Sequence, residues 1–266
     1  MRSTGAISWR FLVLLALSGA VGLPASLAGQ FTPQAPPQQQ RPDFMFGRPH
    51  VSLTIMGGYA VPSETPGAVY AQVGSDQALT FYRKNFNSAS VTGELAVRAT
   101  DRLDIIMDLG YSGGKVGSEY TNWVDNNNLP IQQTSTFTRT PLTFGVKAYL
   151  WNPGRSIGQL AWIPARWVPF VGAGAGWMWY KFVQSGDFVD FANNYNVYSD
   201  RLESTGRGAT ANVFGGAEWS IAPHFVLTAE GRYSWASASM GPAFNGIKPN
   251  IDLSGFRASA GITLRF

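Results

Sequence analysis

Cysteine is absent from the 266 residues, which excludes disulfides, thiolate metal sites, lipid attachment through cysteine and cysteine nucleophiles. Charge is scarce: Asp, Glu, Lys and Arg make up 14% of the chain, where soluble domains usually carry about a quarter. Histidine occurs only as His50 and His224. No metal-ligand spacing, phosphate loop or nucleotide motif appears, so no cofactor is expected. Beyond residue 50 no stretch approaches the roughly 18 consecutive apolar residues of a spanning helix. The formal charge of +4 includes Arg2 and Arg10, and no basic cluster points to nucleic acid.

What is present is interleaved. Apolar residues make 45% of the chain, yet mean hydropathy lies near zero. At the start, Arg2 and Arg10 precede the run FLVLLALSGAVGL, and Ser26, Leu27 and Ala28 follow as a small-x-small site. That order predicts a secretory signal peptide over residues 1–28, cleaved near Ala28. Residues 29–49, GQFTPQAPPQQQRPDFMFGRP, are rich in Pro and Gln and predict a disordered or polyproline-like leader, read as a spacer.

From residue 50 to 266 the chain alternates with period two. In GFRASAGITLRF, Phe256, Ala258, Ala260, Ile262, Leu264 and Phe266 share one face, and Arg257, Ser259, Gly261, Thr263 and Arg265 share the other. VSLTIMGGY sets Val51, Leu53, Ile55 and Tyr59 against Ser52 and Thr54. SASVTGELAVRA sets Val91, Leu95 and Val97 against Thr92, Glu94 and Arg98. LDIIMDLGY sets Leu103, Ile105, Met107, Leu109 and Tyr111 against Asp104 and Asp108, and PLTFGVKAYL sets Leu142, Phe144, Val146 and Ala148 against Thr143, Lys147 and Tyr149. ANVFGGAEWSI and FVLTAEGRYSW repeat the pattern, with Glu218, Glu230 and Arg232 on the polar face. In VPFVGAGAGWMWYKF the glycines blur the faces; Val171, Ala173, Ala175, Trp177 and Trp179 are read as outward. The expectation is an all-β fold: a transmembrane antiparallel up-and-down β-barrel of about eight strands. A soluble sandwich or barrel would also alternate, but its exterior would carry the charge. Here nearly all strand charges oppose the aromatics, which favours lipid outside and a polar lumen.

Connections alternate too. ATDRL and IAPHF read as tight turns, whereas residues 60–87, 112–137, 183–208 and 238–254 read as long loops facing outside the cell. One connection on the short-turn side breaks the rule: residues 151–167 are long and carry Trp151, Trp162 and Trp167. Two readings stand equally, tryptophans in the headgroup layer or a loop folded under the barrel.

This pattern, PFVGAGAGW in the fifth strand, TAEGRYSW in the seventh and the last strand together resemble the small outer-membrane β-barrel superfamily of OmpA-type transmembrane domains, OmpW and opacity-like porins. The resemblance spans roughly Val51 to Phe266. It implies a cell outer membrane location, outer-membrane lipid and the barrel assembly machinery as partners, and an assembly signal at Ser259, Gly261, Leu264 and Phe266.

The alternation places Glu94, Arg98, Asp104, Asp108, Lys147, Glu218, Glu230, Arg232, Arg257 and Arg265 in the lumen. Five acids face five bases, and an eight-stranded barrel has room only for side chains inside, so these groups must pair. An ion path is one reading; a rigid polar plug is favoured, because little lumen is left free. His50 and His224 fall at the short-turn edge with no Ser or acid motif around them, so a lipid-modifying barrel enzyme is disfavoured and no enzymatic activity is expected. The leading expectation is a structural or surface-interaction barrel whose loops carry specificity. The alternative is a narrow channel or carrier for small solutes or hydrophobic ligands, with loop aromatics such as Phe81, Tyr82, Trp123 and Tyr195 as ligand contacts or interfacial anchors.

Overall fold

A strand whose alternate side chains are apolar and polar is stable only where its two faces meet different surroundings, and closing such strands into a ring provides them. The computed structural model describes residues 47–63, 83–125, 127–157, 161–190, 196–244 and 250–266. The expected signal peptide, all but the last residues of the leader, and Phe81, Tyr82 and Tyr195 lie outside them. The strands are β1 (Val51–Pro62), β2 (Ser88–Arg98), β3 (Leu103–Val124), β4 (Pro130–Tyr149), β5 (Gly154–Ile157), β6 (Ala161–Pro164), β7 (Trp167–Asp190), β8 (Asn196–Ser220), β9 (Phe225–Ser239), β10 (Asn250–Asp252) and β11 (Gly255–Arg265). Eight form an antiparallel ring in the order β1, β2, β3, β4, β7, β8, β9, β11. It closes where β11 pairs with β1, from Ser52 opposite Arg265 to Pro62 opposite Gly255. Short β10 extends the far end of β9, and β5 and β6 form a separate hairpin.

The register fixes the tilt. From Ile55, pairing runs one way through Gly93, Leu109 and Leu142 to Trp177. The other way it runs through Ile262, Leu227 and Trp219 to Trp167. The two routes meet β7 ten residues apart. A stagger of that size over eight strands about 4.8 Å apart tilts them by roughly 40° from the axis.

The two faces are as the alternation predicts. Ile55 is 62% exposed and Ile262 53%, while Glu94 and Lys147 are each 1% exposed. In the glycine-blurred strand, Val171, Ala173, Ala175, Trp177 and Trp179 face outward, and Phe170, Met178 and Tyr180 are buried inside. Exposed aromatics gather at two levels. Trp167, Trp219 and Phe225 ring the short-turn end, and Tyr59, Tyr111, Trp177, Trp179, Trp235 and Phe256 ring the other. Ten residues of tilted strand between Trp167 and Trp177 span about 25 Å along the axis. That equals the apolar band of a membrane barrel, about 25 Å between aromatic girdles.

Two expected loops are strand instead. Residues 112–137 and 183–208 continue the ladders: β3 and β4 stay paired to Val124 opposite Pro130, and β7 and β8 to Asp190 opposite Asn196. Ser, Thr, Gln and Gly in these stretches suit a hairpin with water on one side, because the ladder is held by backbone groups and needs no apolar face to form. β4 and β7 also pair there, as far as Gln133 opposite Gly186. Four strands thus rise as one wall, while β1, β2, β9 and β11 end at Pro62, Ser88, Ser239 and Gly255. Gly186 has φ of 139°, and a Cβ there would collide with the Gln132 carbonyl oxygen, so only glycine permits this bend. At the β3–β4 tip Asn128 is left-handed, with φ of 61°, a conformation Asn tolerates. Asp125 Oδ1 accepts hydrogen bonds there from the Asn127 and Leu129 amides, at 2.8 and 2.7 Å.

Candidate functional site

All ten charged residues singled out from the alternation lie inside the ring, supplied by six strands: β2, β3, β4, β8, β9 and β11. Their contacts form one continuous chain. Arg98 meets Asp104 at 3.4 Å. The Tyr149 hydroxyl donates to Asp104 at 2.9 Å and approaches Glu218 at 3.3 Å. Glu218 pairs closely with Arg265 and lies 3.7 Å from Lys147, which pairs closely with Glu94. Glu94 is 3.6 Å from Arg232. Arg232 grips Glu230 with two nitrogens, at 2.8 and 3.2 Å, and reaches Asp108 at 3.4 Å. Asp108 then meets Arg257 at 3.5 Å. Aromatic rings shield the cations from β7 and β8: Lys147 lies over Phe170 at 4.7 Å, and Arg232 over Phe214 at 4.3 Å.

Such a network is stable because each ion replaces lost water with opposite charge. An isolated ion of this burial would cost several kcal/mol. Chemically it can hold charge still and brace the strands against one another. Beside it, the hydroxyls of Thr54, Thr263 and Thr228 form a chain at 2.8 and 2.6 Å, so β1, which supplies none of the ten charges, is tied to β11 and β9 as well.

Toward the hairpin end the filling changes. Phe86, Val116, Phe137, Met178, Tyr180, Phe182, Met240, Phe244, Ile251 and Leu253 make one buried apolar cluster. Phe86 comes from a single 3-10 turn, Arg83–Phe86, and Phe244 from another, Pro242–Phe244, so segments between strands fold inward over the ring. Further out, Tyr120, Ile131 and Val189 pack together at the hairpin ends, with Trp123 and Val197 against them. Trp123, read as a loop aromatic, is therefore part of this packing.

Arg139 escaped the sequence reading. It is buried and inward on β4, and its Nη1 donates to the Leu253 and Ser254 carbonyl oxygens at 3.1 and 3.4 Å. It shares parity with Thr143 and Lys147, and carrying that alternation back into the Thr- and Ser-rich stretch would have found it.

At the short-turn end the three tryptophans of residues 151–167 divide between inside and outside. Trp162, on the β5–β6 hairpin, is 6% exposed and lies 5.9 Å from the Arg265 guanidinium, so it folds under the lumen. Trp151 and Trp167 stay exposed on the outside, with ring centroids 5.0 Å apart. Arg166 lies over Trp219 at 5.4 Å. His50 and His224 sit at this edge, and a His224 ring nitrogen is 2.7 Å from the Arg265 carbonyl oxygen. Among the described residues no group of three or more His, Asp or Glu is placed to hold a metal. On β11, Ser259 is buried inward, Gly261 and Leu264 are partly exposed, and Phe266 follows the strand on the outside.

An antiparallel ring with charge inside and an apolar, girdled exterior is the architecture of a transmembrane β-barrel. Solved structures similar to the chain are of that kind. Ail, the attachment invasion locus protein of Yersinia pestis, is 11% identical over 84% of this chain and 100% of its own, with a TM-score of 0.41. Outer membrane protein W of Escherichia coli is 14% identical over 84% and 100%, at 0.36. The outer membrane protease OmpT of Escherichia coli is 11% identical over 85% and 100%, at 0.40. No protein-family profile matches the chain, and no curated protein is similar to it. These structural likenesses are distant, and the functional reading rests on the chain's own geometry.

Proposed function

We propose that the protein is a non-enzymatic barrel of the cell outer membrane that holds a raised strand wall at the surface for interaction with other molecules. The observation that carries this is the contrast between wall and lumen. β3, β4, β7 and β8 continue well past the other four strands, while the lumen is filled by the charge network and the apolar plug. The wall's outer face offers a polar concavity of about 440 Å³ lined by Glu119, Gln132, Thr134 and Ser185 among others. Hydrogen-bonding side chains on a rigid sheet suit recognition of a polar partner at the surface. The exterior belt between the aromatic girdles takes outer-membrane lipid, and the short turns face the periplasm.

Because the chain lacks cysteine, single cysteines report its placement directly. Asn127→Cys at a hairpin tip should react with a membrane-impermeant maleimide on intact cells, and Asn152→Cys at the short-turn end should react only after the outer membrane is permeabilised. Labelling of both on intact cells, or recovery of the protein in the soluble periplasmic fraction, would overturn the reading. The rival is a narrow channel or carrier. Steady single-channel conductance of the purified protein in planar bilayers would favour it over a filled lumen.

A further inference from the structure

The lumen network is neutral on its own: five carboxylates against Arg98, Lys147, Arg232, Arg257 and Arg265. Arg139 is a sixth cation in the same interior, at the boundary between network and apolar plug. Its hydrogen-bond acceptors are two neutral carbonyls, and the Phe137 ring lies 5.5 Å from its guanidinium. No carboxylate among the described residues comes within ion-pair distance of it. Asp252 is the acid whose field it feels, from beyond ion-pair distance, and Arg257 the cation that opposes it; Asp252 Oδ1 accepts from the Ser254 amide at 2.8 Å.

Both guanidiniums border one cavity of about 40 Å³, with Ser112, Ser234, Met178 and Leu253 among its other lining residues. Arg257 spends its Nη2 on Asp108, while its buried Nε has no hydrogen-bond partner. The cavity thus combines two guanidiniums, one of them without a contacting carboxylate among the described residues, an unsatisfied N–H donor and two hydroxyl groups, with apolar walls behind them. Its volume exceeds the roughly 10–15 Å³ that one water requires. Water could satisfy the donors, but it would leave the buried Arg139 without a counter-charge in contact, an unfavourable state for a buried ion.

We propose that this cavity is a binding site for one small monovalent anion of the halide class, held between Arg139 and Arg257. The anion gives Arg139 the contacting counter-charge that no described carboxylate supplies. The space admits a single-atom ion and is too small for gluconate.

The test uses the full barrel folded in lipid vesicles and unfolded with urea, in sodium chloride or sodium gluconate at constant ionic strength. The wild type should gain stability with chloride, its folding constant rising about tenfold per tenfold increase in chloride once the site is saturated. Arg139→Met should show no such dependence. Equal salt responses in both proteins would mean a bulk salt effect and overturn the proposal. Bromide anomalous scattering from wild-type crystals gives a second reading that needs no variant. A peak between Arg139 and Arg257 is expected, and a cavity without one under saturating bromide would refute the site.

Discussion

The two halves of the lumen fill the same ring with opposite chemistry. Toward the short turns, ten charged side chains and Tyr149 form a connected network supplied by the ring strands themselves. Toward the hairpins, the space is taken by aromatic and aliphatic groups, several of them from segments between strands, such as Phe86 and Phe244. The barrel backbone is common to both, so it does not dictate what fills it. The difference lies in how each filling is specified. A buried ion depends on particular partners at particular distances, whereas an apolar cluster depends mainly on volume and area. The charged half should therefore tolerate substitution poorly, and the plug should tolerate volume-conserving exchange.

The sharpest break of that comparison is Lys147→Met. It strips Glu94 and Glu218 of their shared cation while leaving both buried, and should cost about 3–5 kcal/mol in urea titrations of the folded barrel. A cost as small as that of a surface ion pair would show that water already screens the network.

Next comes the contrast between faces. Ala229 points outward in the apolar belt and Ser234 inward, five residues along β9. Ala229→Arg should lose roughly 2–4 kcal/mol near the bilayer midplane, and Ser234→Arg clearly less, because the lumen already accommodates charge. Equal losses in vesicle refolding would invalidate the assignment of lipid and lumen faces.

Conservative exchanges sharpen the comparison between the halves. Arg232→Lys keeps the charge but loses the two-nitrogen grip on Glu230, for an expected cost of about 1.5–3 kcal/mol. Met178→Leu in the plug should cost under about 1.5 kcal/mol. The reverse order in thermal or urea unfolding would mean that the plug, not the network, is the more exacting half.

The smallest effect belongs to the hairpin tip. Amide donors from Leu129 and Asn127 hold the Asp125 carboxyl below its ordinary pKa. A depressed carboxyl contributes order that is present above its unfolded pKa and lost as pH falls through the lower folded value. Protection of the Asn127 and Leu129 amides, measured relative to the intrinsic exchange rate at each pH, should fall over that acidic window, and in Asp125→Ala it should be low at every pH, with the ring unaffected. Protection that persists in acid would remove the carboxylate from the account of this turn.

The sequence by itself determined the ring and its two faces. Period-two alternation needs no long-range information: once Leu95 or Ile262 is placed outward, Glu94 and Thr263 must point inward. For the same reason the ten lumen charges could be named in advance, but which of them touch could not. Arg232 meets Glu94, Asp108 and Glu230 because the stagger of the closed ring brings β2, β3 and β9 to one level, and stagger is a property of the whole circuit. Contrast in polarity was also the limit of the reading. Where Ser, Thr, Gln and Gly stand on both faces, as in the upper parts of β3, β4, β7 and β8, the alternation is invisible and the chain reads as loop; Arg139 disappeared with it. Only the tertiary structure showed these segments as a paired wall, because hydrogen bonds between strands carry no signature in either strand alone. The split among Trp151, Trp162 and Trp167 was likewise a tertiary outcome. A short hairpin turned one ring under the lumen and left two outside, and local composition is the same for all three.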